Sequence, residues 1–311
     1  MSFSAEKKEV PCGNEAVKFE VTNFSLAIKG GPATEQTFFA STFRPADGRA
    51  PKALICVNHG FAEHISETYY DNLIPTLVTS LDAFVFAHDH LGHGRTTGDR
   101  VQTCVDFVSD YVDPVIVHAK HWREEFPDVP LFVLGHSMGG LISLKAVLAE
   151  PELFAGAVLM APLVEADPSL ASPMSVFLAK WLSFILPGLQ VPGVKKSLVT
   201  RNTAEVERCA ADELNWSGGL KIKNGWSGLK ALDAFTAKMS EIKVPIFIQQ
   251  GTEDKIVRPE GARKLFEGIG STDKTLKEYP DAYHNMFIEV EEVRDEVIKD
   301  EVEWLKKQLG A

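Results

Sequence analysis

LFVLGHSMGGLISLKAVLAE, residues 131–150, decides how the rest of the chain is read. It opens with a short apolar run, passes through Gly135-His136-Ser137-Met138-Gly139, and continues as a helix former. This is G-x-S-x-G at the junction of a strand and a helix, the context of a nucleophile elbow. The reason is steric. A serine on a tight strand-to-helix turn brings the residues two positions away on either side into collision unless both lack a side chain. Gly135 and Gly139 remove that collision, and the hydroxyl of Ser137 is lifted clear of the sheet.

Working outward, the same rhythm repeats. LICVN (54–58), AFVFA (83–87), AVLMA (157–161) and IFIQQ (246–250) are short apolar runs separated by helical stretches, and TLKEY (275–279) closes the series. Strands that are apolar on both faces and separated by helices form a parallel sheet with crossover helices. Upstream, KFEVTNFSLAI (18–28) and TFFASTF (37–43) alternate, with Gly30-Gly31-Pro32 between them, which predicts an antiparallel hairpin. The rhythm fails between about Pro162 and Lys243. That stretch reads as a helical insertion, giving a core of 1–165 and 240–311 with a cap of 166–239. Inside it, MSVFLAKWLSFIL (174–186) places Phe177, Leu178, Trp181, Leu182, Phe184 and Ile185 on one broad face, with Ser175, Lys180 and Ser183 opposite. Pro187-Gly188 stops that helix.

A serine hydroxyl is a weak nucleophile and needs a base held by an acid. In this architecture they follow the serine in the order acid, then histidine. His284 is the one histidine downstream of Ser137, so it is the expected base. The acid is expected after the preceding strand, where GTEDKIV (251–257) offers Glu253 and Asp254; Asp254 is favoured, and Asp281 is a weaker rival. An oxyanion also needs donors. The backbone N–H of Met138 is one, and that of Phe61, in His59-Gly60-Phe61-Ala62-Glu63-His64, is the other.

Composition narrows the partners. The 311 residues carry a net charge of -11, and no basic run marks a nucleic-acid binder. Cys12, Cys56, Cys104 and Cys209 are widely spaced, as thiols of a reducing compartment are. MSFSAEKKEV lacks the apolar core of a signal peptide, and no apolar run reaches spanning length. These features predict a cytoplasmic protein, with Phe177, Trp181 and Phe184 of the cap helix as a weak peripheral membrane contact. His88, Asp89, His90 and His93 could be read as metal ligands, but they suit structural support, and no metal or cofactor is expected. His118 and His121, three apart in a predicted helix, read as packing or surface residues.

HGFAEH (59–64), DHLGHGRTTG (89–98), GHSMGG (135–140), GTEDKIV (251–257) and AYHNMF (282–287) together resemble monoacylglycerol lipase and its α/β-hydrolase relatives. TRNTAEV (200–206) and GLK (219–221) extend the likeness into the cap, and it covers the chain from about residue 20 onward. The resemblance implies an α/β-hydrolase fold, a mostly parallel eight-stranded sheet flanked by helices, with a helical cap over the site. It implies cofactor-free hydrolysis of a fatty-acyl ester, with Ser137, Asp254 and His284 in the triad positions and Phe61 and Met138 in the oxyanion positions. At the alcohol end the family pattern has a Glu, an Arg, a Tyr and a second His around glycerol. Here Glu63 is kept, while Glu67, Cys209 and Phe287 fall at the other three positions. A different alcohol, as in a carboxylesterase or lysophospholipase, is the alternative; a catalytically silent binding protein is a further one, which the intact Ser–Asp–His set disfavours.

Overall fold

A computed structural model describes residues 8–9, 17–26, 36–66, 70–96, 106–165 and 180–310. The main sheet has nine strands: β1 (Lys8–Glu9), β2 (Val17–Leu26), β3 (Gln36–Pro45), β4 (Ala53–Asn58), β5 (Ala83–His88), β6 (Leu131–His136), β7 (Gly156–Met160), β10 (Ile246–Gly251) and β11 (Lys274–Tyr279). Their order across the sheet is β1-β2-β3-β5-β4-β6-β7-β10-β11. The expected hairpin is β2–β3, antiparallel over ten residue pairs from Val17↔Pro45 to Leu26↔Gln36. From β5 to β11 every pairing is parallel. Eight strands match the expectation; the ninth, β1, is a two-residue edge pairing, too short to leave a period in the sequence.

The parallel strands are buried on both faces because each carries two apolar sets. In β6, Leu131 and Val133 point into one core cluster, and Phe132 and Leu134 into the other. Helices α1 (Tyr70–Leu81) and α7 (Glu291–Leu309) cover the second cluster with Leu73, Leu77, Val297 and Leu305. Helices α2 (Asp113–Glu125), α3 (Met138–Ala149), α5 (Ile222–Thr236) and α6 (Pro259–Gly268) cover the first, through residues such as Val115, Leu141, Phe235 and Leu265. Crossover helices on both faces align the strands, so the loops after β4, β6, β10 and β11 emerge at one edge. In open sheets of this kind that edge is where ligands bind.

Between β7 and β10 no strand among the described residues joins the main sheet. The described part of this insertion contains a helical turn at 180–185, the short ribbon β8 (Gln190–Val191) with β9 (Leu220–Lys221), and helix α4 (Thr203–Ala211), followed by α5. Phe177 and Leu178 lie outside the described residues. The 180–185 turn reverses the usual arrangement of an amphipathic helix. Ser183 faces the protein, with its hydroxyl donating to the carbonyl of Lys180 at 2.6 Å. Trp181, Phe184, Ile185 and Leu186 are 53%, 73%, 68% and 51% exposed. Among the described residues of the apolar face Leu182 is half-buried, while Trp181, Phe184 and Ile185 lie outward.

His59, His88, His90, His93 and His118 are fully buried around Tyr111 and the β4–β5 loops. His88 and His118 approach each other through Nδ1 at 3.1 Å, and His59 donates from Nδ1 to the carbonyl of Gly60 while its Nε2 accepts from the N–H of His90. His121, on the helix of His118, is half-buried. Among the described residues no three His, Cys, Asp or Glu side chains are grouped to hold a metal ion. No helix of the described residues is long and apolar enough to cross a membrane.

Candidate active site

Ser137 ends β6 and opens α3 with φ +52° and ψ -115°, a left-sided conformation that side chains rarely adopt. Such strain is held only where the surroundings leave no other choice. Here they do not: a Cβ on Gly135 would collide with the carbonyl of Gly139, and a Cβ on Gly139 with the carbonyl of Asn58 on β4. The elbow is thus wedged between its own helix and the neighbouring strand, and Ser137 has one place to go.

His284 lies in the loop after β11. Ser137 Oγ donates to His284 Nε2 at 2.9 Å, and His284 Nδ1 donates to Asp254 Oδ2 at 2.7 Å. Asp254 follows β10 and is fixed on its other oxygen, where Oδ1 accepts from the backbone N–H groups of Ile256 at 2.8 Å and Val257 at 2.9 Å. Gln250 Nε2 adds a third donor, to Oδ2 at 3.0 Å. Glu253 and Asp281, the rival carboxylates, are exposed. Burial works against a charged Asp254, yet the imidazole of His284, through its charge and its hydrogen bond, and the two backbone donors hold the carboxyl below its ordinary range. For His284, burial likewise opposes charge, but Asp254 and then Glu63 raise its pKa above the usual 6.5. The arrangement can pass a hydroxyl proton to an imidazole and stabilise the imidazolium that results.

The backbone N–H groups of Phe61 and Met138 donate to no protein acceptor among the described residues. Phe61 and Ser137 line one cavity of about 160 Å³, with Met138 buried behind it. The loop carrying Phe61 is shaped by Ala62 at φ +68°, and the N–H of Trp216, in the insertion, donates to the carbonyl of Ala62 at 3.1 Å.

Of the residues expected at the alcohol end, Glu63 and Cys209 line this cavity and Glu67 lies outside the described residues. Phe287, expected at the same end, is not among the residues that line the cavity. Its ring is 1% exposed in the core, because the 3₁₀ turn Met286–Ile288 tucks it beneath the loop. Asn285 and Ile288 take the wall instead. Glu63 is also held differently from a free substrate ligand. Its Oε2 accepts from the N–H of Gly60 at 2.7 Å and from His136 Nδ1 at 3.0 Å, and its Oε1 from Asn285 Nδ2 at 3.2 Å. Lys196, Asn215, Trp216 and Ser217, all from the insertion, complete the polar wall and were not singled out from sequence. The motif AYHNMF would have pointed to Asn285, since a polar residue beside a catalytic histidine shares its loop. Nothing periodic points to the other four.

Residues 49–291 match the model of the family described as "Serine aminopeptidase, S33". The chain belongs to that family. It is 38% identical to the mouse monoglyceride lipase over 282 residues, 90% of each chain, and 37% identical to the human monoglyceride lipase over 281 residues, 89% of each. Among solved structures it is similar to a monoacylglycerol lipase of Paleococcus ferrophilus, with a TM-score of 0.74 and 30% identity over 87% of this chain and 99% of that one.

Proposed function

We propose that this protein is a carboxylic ester hydrolase that cleaves monoacylglycerols to a fatty acid and glycerol. Ser137 attacks the acyl carbon, and His284 takes its proton and returns it to the departing alcohol. A water molecule, deprotonated by His284, then attacks the acyl-enzyme, and the fatty acid leaves as His284 returns the proton to Ser137 Oγ, while Asp254 holds His284 in the required tautomer. The N–H groups of Phe61 and Met138 receive the oxyanion, and residues 166–239 act as the cap. The observation that carries this reading is the unbroken Ser137–His284–Asp254 chain at 2.9 and 2.7 Å, opening on a cavity with both apolar and polar walls. The resemblance to monoglyceride lipases supplies the substrate class.

The alcohol is bound loosely in this reading. Glu63 and Asn285 are spent on each other, and Lys196 Nζ and Asn215 Nδ2 both turn to the carbonyl of Cys209. Among the described residues Asn215 Oδ1 is left without a partner, so only a few polar groups remain to strengthen the transition state through glycerol hydroxyls. A long-chain monoacylglycerol and the ethyl ester of the same acid, in one detergent, should differ in kcat/KM by about tenfold or less, roughly 1.4 kcal/mol. A thousandfold preference for the glyceryl ester would contradict loose binding. A preference for a lysophospholipid over both would move the substrate to another class.

The pH dependence follows from His284, which accepts a proton only when neutral. Because its pKa is raised above 6.5, kcat/KM should fall as pH drops through that raised value and level off at higher pH. The midpoint of this acid limb should lie above 6.5. A limb well below the ordinary imidazole range would disagree.

The outward apolar face of the cap supports peripheral contact with lipid. Trp181, Phe184, Ile185 and Leu186 are exposed, as is Val194, which lines the cavity. Removing a large apolar side chain from water is worth roughly 1.5–3 kcal/mol, so a few such residues give weak, reversible adsorption. In co-sedimentation with phosphatidylcholine vesicles, Trp181→Glu should partition less than wild type. Equal partitioning would argue that the face meets something other than lipid.

A further inference from the structure

Glu289 is 1% exposed and sits at the far end of the loop that carries His284. Its Oε1 accepts from the N–H groups of Tyr283 at 3.1 Å and Arg201 at 3.0 Å. Its Oε2 accepts from Arg201 Nε at 3.0 Å and from the N–H of Val290 at 3.3 Å. One carboxylate thus closes the loop on itself, from residue 283 to residue 290, around His284. It also fastens that loop to Arg201, in the insertion. Two further bonds run across the same seam. The N–H of Asn285 donates to the carbonyl of Val199 at 2.8 Å, and Thr200 Oγ1 donates to the carbonyl of Ile288 at 2.9 Å.

Val199 and Thr200 also wall the cavity, and the helix that begins two residues after Arg201 brings Val206 and Cys209 to it. The residues that shape the substrate's enclosure are therefore those that grip the loop of the catalytic base. A buried carboxylate satisfied by three backbone donors and one guanidinium tolerates little displacement, because any shift leaves charge unpaired. We infer that Glu289 and Arg201 are a positioning pair that couples the cap to His284, so that cutting the tie slows attack by Ser137 itself, even on a substrate too small to need the cap.

This inference rests on the ester-hydrolase reading of the site. The test uses the full chain as Glu289→Gln, Arg201→Met and Arg201→Lys. Each is followed by the rate of labelling with a small alkyl fluorophosphonate, by kcat and KM for a short p-nitrophenyl ester, and by thermal unfolding. Glu289→Gln keeps the size of the side chain but turns an acceptor into a donor facing donors. A shift of a catalytic group by about 1 Å can cost up to roughly 10²-fold, so labelling and kcat should fall about tenfold or more, with KM for the short ester unchanged. Arg201→Met should do the same, and Arg201→Lys should recover part of the loss. Arg201 is partly exposed, so it decides the matter if Glu289→Gln does not fold. Folded variants that label at the wild-type rate, with only a lowered unfolding temperature, would overturn the inference. A wild-type protein that does not label at all would overturn the site reading and this pair with it.

Discussion

Ser137→Ala is expected to lose ester hydrolysis by roughly 10⁶-fold while unfolding at the wild-type temperature, since the members of such a triad act as one unit. The change removes one oxygen whose protein partner is His284 Nε2. It leaves the backbone strain as it was, because alanine at φ +52° is no easier than serine. The elbow is held by Gly135, Gly139 and Asn58, none of which is altered. Initial rates on a short chromogenic ester, beside thermal unfolding of both proteins, check this. Activity surviving within tenfold of wild type would show that another group attacks the ester.

Asp254→Asn is expected to lower kcat by roughly 10⁴-fold with the fold retained. The direction comes from the hydrogen bonds around the carboxylate. Oδ1 accepts from the N–H groups of Ile256 and Val257, so an asparagine must keep its oxygen there. Its amide nitrogen then occupies the place of Oδ2, facing His284 Nδ1 and Gln250 Nε2. A donor at that point drives the imidazole proton to Nε2, and the nitrogen that should accept from Ser137 becomes a donor. Loss of the negative charge also removes the main support for the raised pKa of His284. Glu253→Gln, at an exposed side chain, should leave kcat unchanged and serves as the control. If Asp254→Asn kept near-normal kcat while Glu253→Gln lost it, the acid role would pass to Glu253.

What the sequence made legible is what short-range physics determines. The elbow needs two glycines flanking a serine between strand and helix, and all of that lies within residues 131–150. The parallel sheet shows as runs such as LICVN and LFVLG, apolar in every position because both faces are buried. His284 follows from chain order, and Asp254 from the strand before it. The rest depends on contacts distant in sequence. Nothing local says that the 3₁₀ turn after His284 buries Phe287 and turns Asn285 and Ile288 to the cavity. Helical spacing grouped Trp181, Phe184 and Ile185 correctly, but periodicity defines a face without saying whether protein or solvent meets it. Ser183 is the buried member of that turn. The insertion residues Asn215 and Trp216 come from irregular chain and Lys196 from a single 3₁₀ turn, too short for a period to be read. Glu63 was visible as a polar residue near the site, while its commitment to Gly60, His136 and Asn285 rests on partners up to 222 positions away.

If this chain turns over monoacylglycerol through Ser137, fatty-acid release from a long-chain monoacylglycerol must depend on that serine. Wild type and Ser137→Ala should be assayed side by side in the same detergent, with free fatty acid measured by mass spectrometry. Wild type is expected to release fatty acid steadily over many turnovers, and Ser137→Ala at the blank rate. No release by a folded wild-type protein, or equal release by both proteins, would contradict it.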